Sequence, residues 1–392
     1  MFARAFAGGV AAIAVMCFGH PRAVHAGPIT PGNLVIFRAG SGTNALSSTT
    51  GNDVILDERT PSGTLVQSIA ITATGAGTKL ITAGGATAEG ALAISPDGRW
   101  ITFGGYNATI PQASSLPGSS SATIPRSVGI LDTTTGNVTL TTTGTFYNAQ
   151  AVRTAYSSDG NKFWTAGSGF GISYGTVSGG TSVLVNGTGA GTNMRVLGQY
   201  GNDLYISTSS GSLSPTIGLL GGNPLAGGVP TSNNQLPSIP LQGGTPTKSR
   251  YGFVFLDTNP SVPGLDTMYT VDDSATSGGL WKYTLDLTGT WNAAGSITGT
   301  TGQLRGLTGA VNGGNAQLFM TGSGNTLWTF TDSSAATSTL NGTLSAFTSL
   351  STAAANTAYR GVVLVPVPEP SSSLMLVAAV AGGCAAWRRR RT

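Results

Sequence analysis

Residues 91–105, ALAISPDGRWITFGG, and residues 151–169, AVRTAYSSDGNKFWTAGSG, decide the fold. In both, a run of alternating apolar residues meets an Asp-Gly pair and resumes as a second run carrying aromatics. Alternation with a period of two lines one face of a strand, and Asp-Gly supplies the positive φ of a tight hairpin. The grammar recurs in MRVLGQYGNDLYISTSSG (194–211), FVFLDTNPSVPGLDTMYTV (253–271) and LRGLTGAVNGGNAQLFMTGSG (304–324), with turns at Gly98, Gly160, Asn202, Gly264 and Gly313. The mean spacing of these turns is about 54 residues, slightly above the ~40 to 50 of common propeller repeats.

Each hairpin is followed by another apolar pair, such as SVGILDTTTG (127–136) with NVTLTTTG (137–144), or GLWKYTLDL (279–287) with GSITGT (295–300). Four antiparallel strands per repeat make a propeller blade. The competing architectures are a β-helix and a pair of sandwiches; a 54-residue period is long for a β-helix coil, which favours the propeller. YRGVVLVP (359–366) reads as a first strand whose partners lie at the other end of the chain, in NLVIFRAG (33–40), DVILDERT (53–60) and TLVQSIAI (64–71). Pairing the two ends closes the ring and removes exposed edges. The expectation is an all-β propeller of six four-stranded blades, with seven as the alternative because the Gly/Pro-rich stretch 210–249 is poorly patterned. SPDG at 95–98 and SSDG at 157–160 resemble the turns of TolB-like and other bacterial β-propeller repeats, with Asp97 and Asp159 read as turn residues.

The composition agrees. Of 392 residues only 9% are charged, against about 25% in ordinary soluble domains. Fifty-nine Gly and 19 Pro interrupt helices, while 40% hydrophobic residues exclude a disordered polyelectrolyte. The net charge of +4 is an effect of the termini: Arg4, Arg22 and Arg388 to Arg391 lie outside the body, where 13 Lys and Arg face 14 Asp and Glu. A nearly neutral, unpatterned body has no phosphate-tracking stripe, so no nucleic-acid partner is expected. His20, His25, Cys17 and Cys384 are all terminal. The body therefore lacks Ser-His-Asp and Cys-His machinery, His or Cys zinc sites and disulfides; no catalytic residue, cofactor or metal is assigned.

The ends address the chain. A basic start, MFARAF, an apolar core, and small Val24 and Ala26 at the minus-three and minus-one positions form a secretory signal, residues 1–26, with cleavage expected after Ala26. The body is expected to span 27–366. Residues 367–392 carry Val367-Pro368-Glu369-Pro370, an apolar stretch from Leu374 to Trp387 expected to be a helix, and Arg388, Arg389, Arg390 and Arg391. Counted from Ser371 the stretch spans 17 residues, about 26 Å of helix, marginal for a bilayer, with the arginines on the cytoplasmic side.

These three ordered elements closely resemble the PEP-CTERM sorting signal of Gram-negative bacteria. The resemblance covers about the last 27 residues. It implies transient residence in the inner membrane and recognition by an exosortase, a membrane-embedded sorting protease or transpeptidase. Release or attachment at the outer surface follows, in bacteria that make exopolysaccharide. It implies nothing about the body.

One repeated polar slot stands out within the body. Arg153, Arg195, Arg250, Arg305 and Arg360 each begin a predicted first strand, and Glu89 lies near the same place in the first unit. Because first strands line a propeller's channel, these guanidinium groups are candidates to bind carboxylates or sulfates bidentately at one mouth. The alternative is that each Arg ties neighbouring blades through carbonyls or carboxylates. Trp100, Trp164, Trp281, Trp291 and Trp328 are read chiefly as core between blades, against a sugar-stacking role, and Asp266, Asp272 and Asp273 as a solvated loop rather than a Ca²⁺ seat.

Two functions remain. One is a non-enzymatic surface or matrix protein, a scaffold or a binder of extracellular polysaccharide. The other is a His-independent hydrolase or lactonase using carboxylates or Ca²⁺, which requires acids converging at one channel mouth.

Overall fold

The computed structural model describes residues 26–46, 50–112, 115–179, 183–184, 193–208, 217–220, 241–242, 249–274, 278–299, 303–322, 325–333, 340 and 346–368. Residues 1–25 of the expected signal 1–26, the C-terminal apolar stretch, Glu369, Pro370 and the four terminal arginines lie outside them. Among the described residues there is no α-helix, and no helix is long and apolar enough to cross a membrane.

Six antiparallel blades follow one another. Blade one is the closure: the C-terminal strand Ala358–Leu364 pairs with Leu34–Ala39, followed by Val54–Arg59 and Leu65–Ala70. Blade two holds Ala93–Ile94, Trp100–Tyr106, Arg126–Asp132 and Val138–Thr142. Blade three holds Val152–Tyr156, Lys162–Gly167, Ile172–Thr176 and Val183–Leu184. Blade four has three described strands, Met194–Tyr200, Asp203–Thr208 and Ile217–Leu220. Blade five runs Arg250–Leu256, Thr267–Asp272, Gly279–Leu285 and Trp291–Thr298, and blade six Leu304–Asn312, Asn315–Gly322, Thr326–Asp332 and Thr348–Thr352. The expected hairpin turns fall between first and second strands throughout. Gly98 and Gly160 have φ of +74° and +75°, which a side chain would strain.

The repeat is less uniform than its sequence grammar. Within the stretch 210–249, Leu241–Gln242 pairs in parallel with Trp291–Asn292 and adds a fifth strand to blade five. A short ladder, Gly51–Asn52 with Thr82–Ala83, lies outside the blades and carries Thr82 and Ala83 to Glu89.

The apolar faces of consecutive blades bury against each other, and a hydrophobic cluster occupies each of the six junctions. Phe37 meets Phe103 between blades one and two, and Tyr156 and Trp164 meet Met194 and Leu197 between three and four. Between five and six, Tyr269, Val271 and Leu280 meet Leu318 and Met320. Burying each such large side chain stabilises by about 1.5–3 kcal/mol. The five tryptophans join these clusters: Trp164 and Trp291 are buried, while Trp100, Trp281 and Trp328 pack as half-buried members. A buried ion pair also ties blades five and six, Lys282 Nζ lying 2.8 Å from Asp332, which accepts a 2.6 Å hydrogen bond from the Tyr269 hydroxyl.

Candidate functional site

All first strands run the same way along the central axis, so their starts gather at one mouth and their ends at the other. In five blades the first strand carries one residue more than its partner near its start. The irregularities fall at Arg153, at Arg195–Val196, at Tyr251–Gly252, at Arg305 and at Arg360–Gly361. A β-bulge re-aims the side chain it carries. The result is a cluster of Arg153, Arg195, Arg305 and Arg360 about one aromatic ring, that of Tyr251.

Glycines make the first strands converge here. A Cβ on Gly252 would lie 2.6 Å from the Arg305 carbonyl oxygen, one on Gly306 2.8 Å from that of Arg360, and one on Gly361 2.6 Å from that of Gly90. Each belongs to the next blade's inner strand or the segment entering it. Side chains at these positions would hold the strands apart.

Arg195 Nη1 and Arg305 Nε lie 2.9 and 3.1 Å from the same oxygen of Asp273, and both guanidinium groups stack on Tyr251, at 4.5 and 5.7 Å from its centroid. The Tyr251 hydroxyl donates to the Ala88 carbonyl at 2.6 Å. Arg360 Nη2 donates to the Gly84 carbonyl at 2.6 Å. Arg153 Nη1 donates to Asn193 Oδ1 and, at 3.2 Å, to the Met194 carbonyl, while its Nε is buried with no acceptor among the described residues. Each of these four arginines thus reaches a neighbouring blade or the segment entering one.

Arg250 does not join them. It stands one residue before the bulge, where a one-residue offset turns a side chain to the opposite face. It is 1% exposed inside blade five, Nη2 donating to the Tyr283 hydroxyl at 2.6 Å and the guanidinium 4.6 Å from the Trp281 ring. The missed residue, Tyr251, has a sequence signal: Tyr251-Gly252 matches Arg305-Gly306 and Arg360-Gly361, so the following glycine sets Tyr251 rather than Arg250 in this slot.

Glu89 sits beside this cluster and is 4% exposed. Its Oε2 accepts from Thr82 Oγ1 at 3.2 Å and Ala83 N at 3.3 Å, and its Oε1 from the Tyr106 hydroxyl at 2.5 Å. Burial outweighs these hydrogen bonds and the nearby Arg360 charge, pushing its carboxyl up to about 7. Burial lowers Arg360 to about 10, with Glu89 opposing and Arg305 adding to the shift; Arg153 is lowered for the same first reason. Four guanidinium groups therefore share one carboxylate, Asp273, and a second that is half protonated near neutrality.

Between Glu89, Tyr251, Arg305 and Arg360 lies a cavity of about 30 Å³, room for one water- or carboxylate-sized group. Leu92, Val196 and Leu307 form a waist separating it from a wider apolar mouth of about 320 Å³, walled by Tyr200, Phe253, Phe255, Leu265 and Pro366.

The acids do not assemble a cation seat. Asp266 caps a turn at one end of the strand Thr267–Asp272, accepting from Thr258, Asn259 and Thr267, while Asp272 and Asp273 stand at the other end. No group of three or more metal-ligating side chains occurs among the described residues. Glu89 and Asp273 do reach the same mouth, where Glu89 accepts from Thr82, Ala83 and Tyr106 and one Asp273 oxygen is shared by Arg195 and Arg305. The arrangement can hold an anion.

The chain leaves the ring at the apolar mouth. Gly32 N donates to the Val365 carbonyl and Val365 N to the Asn33 carbonyl, at 2.8 and 2.9 Å. Pro366 lies over Gly98, where a Cβ would approach its ring to 2.6 Å. Val367 is 67% exposed.

Residues 366–391 match the PEP-CTERM protein-sorting motif, the motif recognised by exosortase in export and membrane-associated sorting in Gram-negative bacteria. No curated protein matches the chain. Among solved structures the chain is similar to a protein of unknown function from Bacteroides thetaiotaomicron VPI-5482, at 12% identity and a TM-score of 0.42, covering 75% of this chain and 68% of that one. It is also similar to PpgL, a periplasmic gluconolactonase of Pseudomonas aeruginosa, at 12% identity and a TM-score of 0.41, covering 76% and 78%.

Proposed function

We propose that the chain is a non-enzymatic surface or matrix propeller whose basic mouth engages acidic groups of extracellular polysaccharide. The observation that carries this reading is the charge imbalance at that mouth: four converging arginines against Asp273 and a half-protonated Glu89. Buried guanidinium groups are costly without counter-charge, and an external anion supplies it.

The exit of the chain supports the same reading. Its sorting motif begins at Pro366, on the wall of the apolar mouth. Cleavage of the signal after Ala26 and processing around Pro368 to Pro370 then leave a propeller bounded by residues 27–366.

The test is intact mass and fractionation from the native host, with and without active exosortase, joined to co-sedimentation with the host's acidic exopolysaccharide. The expected species starts at Gly27, ends near Pro368 to Pro370, leaves the inner membrane only when the exosortase works, and sediments with the polymer. A full-length chain kept in the inner membrane in both strains, or a processed one that ignores the polymer, would overturn it.

A further inference from the structure

The geometry points to the small cavity between Glu89, Tyr251, Arg305 and Arg360 as the seat of a single carboxylate-sized monoanion. This inference rests on the basic-mouth reading and narrows it, from acidic polymer in general to one carboxylate, as on a uronate residue.

Three observations lead there. The cavity's volume of about 30 Å³ admits one small group and not a sugar ring. Its walls bring two guanidinium groups from different blades, Arg305 and Arg360, and neither is neutralised by a carboxylate of its own. Arg305 shares Asp273 with Arg195, and Arg360 donates to a backbone carbonyl. Behind them Arg153 holds a buried Nε with no acceptor among the described residues. The face of Tyr251 is already taken by Arg195 and Arg305. The aromatic therefore orients the guanidinium groups; Arg305 Nε and Nη2 donate to Asp273 and Gln303 and Arg360 Nη2 to Gly84, so the ligand's two oxygens meet the other N–H groups of the two arginines.

Glu89 then acts as a gate. A charged carboxylate on the cavity wall repels an incoming anion, whereas a protonated one does not. The groups around it are Thr82 and Ala83 from the side ladder, Tyr106 and Arg126 from blade two, Arg153 from blade three, Arg305 from blade six and Arg360 from blade one. Tyr106 is raised above its ordinary range by burial and by Glu89 itself, so between pH 6 and 8 the titrating member is Glu89. With its carboxyl at about 7, the protonated fraction, and with it anion affinity, falls about tenfold from pH 6 to pH 8.

The experiment is calorimetric titration of the full chain with sodium acetate and with trigalacturonate at pH 6 and pH 8. It is run on the wild type, Glu89→Gln and Arg360→Gln. Acetate is expected to bind the wild type about tenfold more tightly at pH 6, to bind Glu89→Gln equally at both values, and to lose at least tenfold in affinity in Arg360→Gln. Should Arg360→Gln fail to fold, the flattened profile of Glu89→Gln still decides. Trigalacturonate binding more tightly than acetate identifies a polymer carboxylate as the source. Acetate binding without trigalacturonate binding identifies a free small anion, so the cavity assignment stands and the polysaccharide reading falls. Absence of acetate binding at pH 6, or a pH dependence that survives in Glu89→Gln, would overturn the inference, while co-sedimentation with exopolysaccharide would be judged separately.

Discussion

Replacing Glu89 with Gln tests whether the carboxyl beside the basic mouth is held neutral by its surroundings. In the folded chain it keeps its proton up to about pH 7, against the ordinary 4.5 of a glutamate side chain. Between those values the folded state binds the proton and the unfolded state does not, so stability falls as pH rises through the window. A shift of this size corresponds to about 3 kcal/mol, fully lost by pH 8. Gln mimics the protonated form: its amide oxygen accepts from Ala83 N and Thr82 Oγ1, and its amide nitrogen donates to the Tyr106 hydroxyl, which is free to turn. From pH 5 to pH 8 the variant should gain about 2.5 kcal/mol of stability relative to the wild type. Glu58, Asp132 and Asp286 are all lowered, so their contributions change below this window. Urea denaturation at one-unit pH steps measures the difference, as a midpoint gap of about 1 M for a slope of roughly 3 kcal/mol/M. Parallel profiles, within about 0.5 kcal/mol of each other from pH 5 to 8, would refute the burial argument.

Three further outcomes are expected. Lys282→Met removes the ion-pair partner of buried Asp332 and should cost about 3–5 kcal/mol in urea melts, most of it recovered in the double variant with Asp332→Leu. Gly306→Ala forces a Cβ to within 2.8 Å of the Arg360 carbonyl and should cost about 1–3 kcal/mol by overpacking, lowering the melting temperature and weakening anion binding together. Deleting residues 368–370 leaves Val365 locked to Asn33 and the fold intact, yet should hold the chain in the inner membrane, as fractionation with and without exosortase would show.

What the sequence by itself determined was local or terminal. Asp-Gly and Gly turns at Gly98, Gly160, Gly264 and Gly313 announce hairpins because their backbone demand is met within a few residues. The closure of 359–366 onto 33–40 was legible because each end shows strands short of a blade's complement. The sorting motif is contiguous, so it too is read directly. Tertiary structure decided the rest. Arg250 and Tyr251 are adjacent, and only the bulge against Thr267–Asp272 settles which of them faces the channel. Glu89 is a scattered acid in the sequence and becomes a buried, proton-holding group through the side ladder at Thr82 and Ala83 and through Tyr106. The charge imbalance at the mouth likewise exists only once Arg153, Arg195, Arg305 and Arg360 converge from four blades on Asp273 and the buried, proton-holding Glu89. A strand's register and a cavity's electrostatics depend on neighbours in space that lie far away along the chain, 330 residues between the paired Leu34 and Leu364 and 271 between Glu89 and Arg360.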